Sequence, residues 1–216
     1  MNTVLARHQM IMQQIRPWIV SEPQLIETLN DLARDRFVAE EYRHLAYADT
    51  EIPLPHGQKM MLPMIEGKLL QVLKIEPHHR VLEIGTGSGY VTACLGRLAD
   101  TVTSIDIFED LIGAAMTRLN DAGVTNATVR HMDATVELPD ETYDAVAVCA
   151  SMPRFDERFL DLLRPGGRMF VVVGDAPVME ARLITRVDGA AVKVDSLFET
   201  SIAALINASE TPEFRF

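Results

Sequence analysis

The chain has 216 residues, 48% hydrophobic and 24% charged, and its 20 basic against 31 acidic side chains leave a net charge of −11. That balance fits a globular protein of one domain and argues against the basic footprint of a nucleic-acid binder. No uncharged apolar run approaches the roughly 18–20 residues that cross a bilayer, and the first residues lack the apolar stretch of a secretion signal.

The N-terminal third reads as helical. Ser21 with Gln24 three residues on suggests a capping box, followed by Leu25, Ile26, Leu29 and Leu32 at helical spacing. In AYADTEIPLPHGQ, Pro53, Pro55 and Gly57 exclude a helix interior, so an ordered surface loop is expected there. A helix resumes at Pro63, with Ile65, Leu69, Val72 and Leu73 as its buried stripe. From residue 80 short apolar strands alternate with longer helices. Strands are expected at Arg80–Ile84, Thr101–Asp106, Thr128–Met132, Tyr143–Cys149 and Arg168–Val173. Helices are expected after the first glycines to about Ala99, then to about Ala122, and over Phe155–Leu163. Such alternation predicts an α/β fold, a doubly wound and mostly parallel sheet covered on both faces. ARLITRV and AVKVDSLF flank Asp188-Gly189, a hairpin turn signal that adds an antiparallel edge. Residues 1–79 would then be a helical and loop region, and 80–216 an α/β core, within one domain. Cys94 and Cys149 are too few and too far apart for a disulfide scaffold or a zinc site, so a cytoplasmic setting is expected.

The segment VLEIGTGSGY carries the chemistry. A buried strand ends at Glu83-Ile84, and Gly85, Gly87 and Gly89 follow before a helix begins. Glycine permits the sharp turn, and free amides at the helix start can meet an electron-rich group. Asp106 ends the second strand, where a carboxylate can accept ribose hydroxyls. Asp133 ends the third, placed to meet an adenine amino group. A dinucleotide fingerprint would need glycine at position 90, which is Tyr90, and Gly-Lys-Ser/Thr of a P-loop is absent. Glu83 beside the turn suits a cationic amino-acid cofactor better than a pyrophosphate.

This segment resembles the first motif of S-adenosylmethionine-dependent methyltransferases, whose core is Rossmann-like, and its wording is similar to that of the protein-L-isoaspartate O-methyltransferases. FVAEEYRHLAYADTEIPLPHGQ, YDAVAVCASMP and LLRPGGRMFVVVG resemble further stretches of that family. The resemblance implies S-adenosyl-L-methionine held by Glu83, Gly85, Gly87, Asp106 and Asp133. Thr86, Ser88, Gly89, Ile107 and Ala134 complete the expected cofactor-binding set. It also implies a substrate mouth at Pro55–Met61 and, as partner, a protein or peptide with altered aspartyl residues. The family usually continues Gly-Gln with Thr-Ile-Ser, where this chain has Lys59-Met60-Met61, and its Gly-Asp-Gly is here Met132-Asp133-Ala134. Its usual Glu after the second strand is here Asp106.

Methyl transfer to a carboxylate needs no general base, because a side-chain carboxyl with a pKa of roughly 4 is already ionised. A sulfonium cation and a carboxylate anion become neutral products, so a dry, aligned pocket is the main requirement. On an acidic protein the acceptor anion needs local donors, and His56, Gln58 and Lys59 are the candidates for this catalytic clamp. Met60 and Met61 read as lining or core. Ser151 either donates to substrate or caps the following turn, and Cys149 reads as a buried strand-end residue. A methyltransferase for a small acid, or a non-catalytic binder of the same cofactor, stays open.

Overall fold

The computed structural model describes residues 3–189 and 191–208. The N-terminal third is helical but segmented. Helix α1 (Thr3–Met10) runs into a π turn over Ile11–Ile15 and a 3₁₀ turn over Arg16–Trp18. Pro17 has no amide hydrogen to extend that ladder, and Ile19 closes it in the left-handed region, with φ +60°. In α2 (Pro23–Asp31), Leu25 and Leu29 are buried as their spacing predicts. The capping box does not form. The N-cap position falls on Glu22, and the amides of Ser21 and Glu22 both donate to Gln71 Oε1, at 2.8 and 3.1 Å. Gln71 lies in α3 (Pro63–Leu73), so one helix caps another. Helix α3 buries Ile65, Leu69 and Leu73, while Val72 is half-buried.

The proline-rich loop is more structured than expected. Strand β1 (Ile52–Pro53) pairs antiparallel with β2 (Lys59–Met60) around a 3₁₀ turn at Pro55–Gly57. Proline is tolerated because the pair is only two residues long and lies apart from the main sheet.

The core follows the predicted alternation: β3 (Arg80–Ile84), α4 (Tyr90–Leu98), β4 (Thr101–Asp106), α5 (Glu109–Asp121), β5 (Ala127–His131), β6 (Tyr143–Met152), β7 (Leu163–Asp175), β8 (Val178–Asp188) and β9 (Ala191–Thr200). The seven-stranded sheet has the order β5-β4-β3-β6-β7-β8-β9. Strands β3 to β7 are parallel, and β8 and β9 add the antiparallel edge. Alternate residues serve opposite layers. Val81, Ala145 and Phe170 pack with the N-terminal helices and α4, and Leu82, Val146 and Met169 pack on the other face.

Three expectations need correction. The helix at Phe155–Leu163 is a 3₁₀ turn over Glu157–Leu162, started by Asp156, whose carboxylate accepts from the Arg158 amide. Strand β7 starts at Leu163, well before Arg168, because the Pro165–Gly167 turn is absorbed into an irregular register with β6. The fully apolar strand pattern fails for β5, an edge strand whose ATVRH side chains are mostly exposed. Among the described residues, no helix is long and apolar enough to cross a membrane.

The chain runs outward from β3 through β4 to β5, then returns to place β6 on the other side of β3. The carboxyl end of β3 is therefore the switch point, where open α/β sheets hold ligands. The glycine-rich segment falls there.

Candidate functional site

Left-handed backbone shapes the turn after β3. Gly85, Gly87 and Gly89 have φ of +94°, +50° and +85°. At Gly89 a Cβ would also meet Ala115 Cβ of α5 at 3.1 Å. Gly89→Ala is therefore expected to cost about 1–3 kcal/mol, from left-handed strain and crowding against a buried alanine. Urea denaturation would register the loss as a lower midpoint with an unchanged slope.

Asp106, nearly buried at the end of β4, faces this turn. Its Oδ2 accepts from the Gly87 amide at 2.9 Å and its Oδ1 from the Phe108 amide at 3.0 Å. Each oxygen keeps a lone pair for a further donor. Asp133, just beyond β5, is held similarly. Its Oδ1 accepts from the Thr135 amide and hydroxyl at 2.9 and 2.6 Å, and its Oδ2 from Asn207 Nδ2 at 2.8 Å. Partial burial acts against its ionisation, but the Thr135 and Asn207 hydrogen bonds prevail and lower its pKa.

Glu83 sits deeper than the two aspartates. Its carboxylate lies fully buried behind the turn, where Oε2 accepts from Thr92 and Ser104 hydroxyls, and Cys149 Sγ is 3.8 Å from Oε1. Ser104 gives its proton to Glu83, so Thr86 Oγ1, 2.6 Å away, donates to Ser104 Oγ. Burial pushes the Glu83 pKa up to about 7; the Ser104 and Thr92 hydrogen bonds oppose that rise, and the neighbouring Asp106 charge adds to it.

Two adjoining clefts result. The larger, about 620 Å³ and open to solvent, has Asp106, Ile107, Asp133 and Ala134 on its walls, with Gln58 and Lys59 at one end. The smaller, about 310 Å³, reaches Glu83, Thr86 and Ser88 beneath the mouth loop. Gly85, Gly87, Leu54, Lys59 and Cys149 border both. Gly89 borders neither and packs on α5 instead. The Ser88 hydroxyl accepts from the amide of Tyr90, the first residue of α4.

The three clamp candidates separate. Lys59 Nζ, half-exposed at the junction of the clefts, is paired with Glu51 at 2.6 Å. The Gln58 side chain donates to the His56 carbonyl at 3.3 Å while bordering the larger cleft. His56 turns away from the larger cleft's lining. Its ring stacks on Phe108 at 4.1 Å and its Nε2 lies 2.8 Å from Asp110 Oδ1. It ties the mouth loop to the start of α5.

Ser151 neither caps nor faces a substrate. Its hydroxyl donates to the Ile202 carbonyl at 3.1 Å, and its amide and carbonyl bond Ala203 and Leu205. The C-terminal segment is thereby laid along the end of β6, bringing Leu205 and Ile206 to the cleft and Asn207 to Asp133. Sequence reading missed these residues, together with Leu54 and Phe108. Ser104, a polar residue on the buried half of β4, was a visible signal of the Glu83 network.

A doubly wound sheet with a left-handed glycine turn at its switch point, and carboxylates after the next two strands, defines a nucleoside-binding α/β protein of the methyltransferase class. The profile of the protein-L-isoaspartate(D-aspartate) O-methyltransferase family matches residues 5–209, and the chain belongs to that family. It is 33% identical over 215 residues to a protein-L-isoaspartate O-methyltransferase 1 of Rhodopseudomonas palustris, covering 97% of this chain and 88% of the relative. A Koribacter versatilis protein-L-isoaspartate O-methyltransferase is 34% identical over 183 residues, covering 84% and 82%. In fold, the chain is similar to a Plasmodium falciparum structure provisionally described as a beta-aspartate methyltransferase in complex with S-adenosyl-L-homocysteine. That likeness has a TM-score of 0.82 at 20% identity, covering 95% of this chain and 98% of the other.

Proposed function

We propose that the chain transfers the methyl group of S-adenosyl-L-methionine to the carboxylate of L-isoaspartyl or D-aspartyl residues in altered proteins or peptides, working as one domain in the cytoplasm. Membership of the family supports the acceptor. The observation that carries the cofactor is the glycine turn, whose amide at Gly87 is fixed by Asp106. A side chain on Gly87 would come within 3.3 Å of Leu54, so the surface stays open for a ligand only without one. The free thiols of Cys94 and Cys149 fit a reducing compartment.

The cofactor supplies an electrophilic methyl group on a cationic sulfur. Asp106 is suited to ribose hydroxyls, and Asp133, with Ala134 beside it, to the adenine edge. Glu83 contributes negative charge beneath the turn, with Gly85, Thr86, Gly87, Ser88, Gly89 and Ile107 shaping its surroundings. Lys59 and Gln58 are the donors for the acceptor carboxylate, which arrives ionised and needs no base. Leu54, Ile84 and Leu111 give the open cleft apolar walls, and an acceptor seated between them would displace water where charge is lost.

A small organic acid as acceptor is the second reading, favoured by Lys59-Met60-Met61 where relatives present hydroxyls. An isoaspartyl peptide with labelled cofactor separates the two. A base-labile methyl ester on the peptide is expected, and no ester at saturating peptide would reject the repair reading. Lys59→Gln should raise the peptide KM by about two- to fivefold with little change in kcat, the contribution of a half-exposed charge.

A further inference from the structure

We propose that Arg34 is a positioning residue for the acceptor, its guanidinium setting the height of the mouth loop over the glycine turn. The inference deepens the methyl-transfer reading above and rests on it. Arg34 is fully buried, and its Nε and Nη2 donate to the two oxygens of Glu66 at 2.9 and 3.0 Å. The same group spans the loop. Nη1 donates to the Ala46 carbonyl at 2.7 Å and Nη2 to the Met61 carbonyl at 2.8 Å, one on each stem. Its central carbon lies 5.6 Å from the ring centre of Tyr90, the first residue of α4 after the glycine turn. Next to it, Asp35 accepts from the Tyr47 hydroxyl at 2.6 Å and steadies the first stem again.

A single rigid fork therefore touches both stems of the acceptor loop and the frame of the cofactor turn. Arginine can do this where lysine cannot, because its donors are held in one plane at fixed angles. Such a buried pair is a poor source of stability, since apolar replacements of equal volume often cost nothing. Its directional bonds instead fix distance. Leu54, carried by this loop, already lies against Gly87, so a small rise of the stems would move Gln58 and Lys59 relative to the turn. Methyl transfer is sensitive to such shifts, because misplacement by about 1 Å can cost a hundredfold.

Two variants test this. R34K keeps the charge and loses the fork, and R34M/E66M removes both charges from the interior so that folding does not depend on them. In each, amide hydrogen exchange over residues 47–60 should quicken and kcat/KM for an isoaspartyl peptide should fall by about tenfold or more, with S-adenosylhomocysteine affinity held within about twofold. Wild-type exchange and kinetics in either folded variant would overturn the proposal. So would a fall in S-adenosylhomocysteine affinity that parallels the kinetic loss, which marks general loosening. If the wild-type chain leaves the peptide unmethylated, the acceptor reading fails, and exchange over residues 47–60 alone decides for or against Arg34.

Discussion

Asp106→Ala is expected to weaken S-adenosylhomocysteine binding by about 2–4 kcal/mol, on the order of 30- to 1,000-fold. The loss has two parts. One is the acceptor for the ribose hydroxyls, a charged hydrogen-bond partner worth about 1.5–3 kcal/mol. The other is the support of the turn, because the Gly87 and Phe108 amides that now donate to this carboxylate would be left without it. Asp106→Asn separates them. It retains one acceptor oxygen at unchanged shape, but an amide group must then face one of the two backbone N–H groups. Calorimetry should place Asn between wild type and Ala. Wild-type affinity in the Ala variant would remove Asp106 from the site.

Glu83→Gln is expected to stabilise the free protein while weakening the cofactor complex. The folded pKa of Glu83 is raised to about 7 by burial, above the value of 4.5 for an unperturbed glutamate. A carboxyl raised on folding binds more protons in the native state, so stability falls as pH rises between those two values. The native penalty is absent below about pH 4.5 and complete well above 7, where it amounts to about 3 kcal/mol. Glutamine carries no charge to desolvate. Its oxygen can accept from Ser104 and Thr92 as Oε2 does, with its amide toward Cys149. Urea denaturation should show Glu83→Gln gaining up to about 3 kcal/mol at pH 8.5 and less than about 1 kcal/mol at pH 5. Binding should move oppositely. A cationic ligand favours ionised Glu83, so wild-type affinity for S-adenosylmethionine should climb as pH passes 7, and the variant should lose about tenfold at pH 8.5 and show a flat profile. Equal stability of the two proteins at pH 8.5 would refute the buried charge.

Periodicity and turn chemistry revealed most of the sheet before any coordinates. The strands ending in Ile84 and Asp106 fell where β3 and β4 lie, and Asp188-Gly189 marked the β8–β9 hairpin. Some failures come from groups satisfied by distant partners and others from local geometry. Ser21 and Gln24 fit a local capping pattern, but Gln71 of another helix accepts from the Ser21 and Glu22 amides instead. Phe155–Leu163 had helical spacing, yet it is a 3₁₀ turn immediately before the parallel strand β7. In the site, spacing along the chain located Asp106 and Asp133 at the large cleft because strand ends share one edge of a sheet. It could not reveal that Glu83 lies behind its own glycines, or that His56 stacks on Phe108. Those facts depend on which face of a turn looks inward. Asn207 and Leu205 were invisible for a simpler reason, since an irregular segment has no period to read.

The Gln71 cap has a consequence for the order of assembly. Helix α2 spans only nine residues, too short to persist alone in water, and the Ser21 and Glu22 amides that lead into it are satisfied from α3, about fifty residues further along. As the polypeptide emerges from the ribosome, Pro23 can mark where that helix begins, but the segment leading into it lacks its partner until the stretch containing Gln71 has been synthesised and docked. The N-terminal third therefore consolidates together with α3 rather than ahead of it, so early segments of the nascent chain stay pliable while the later ones arrive.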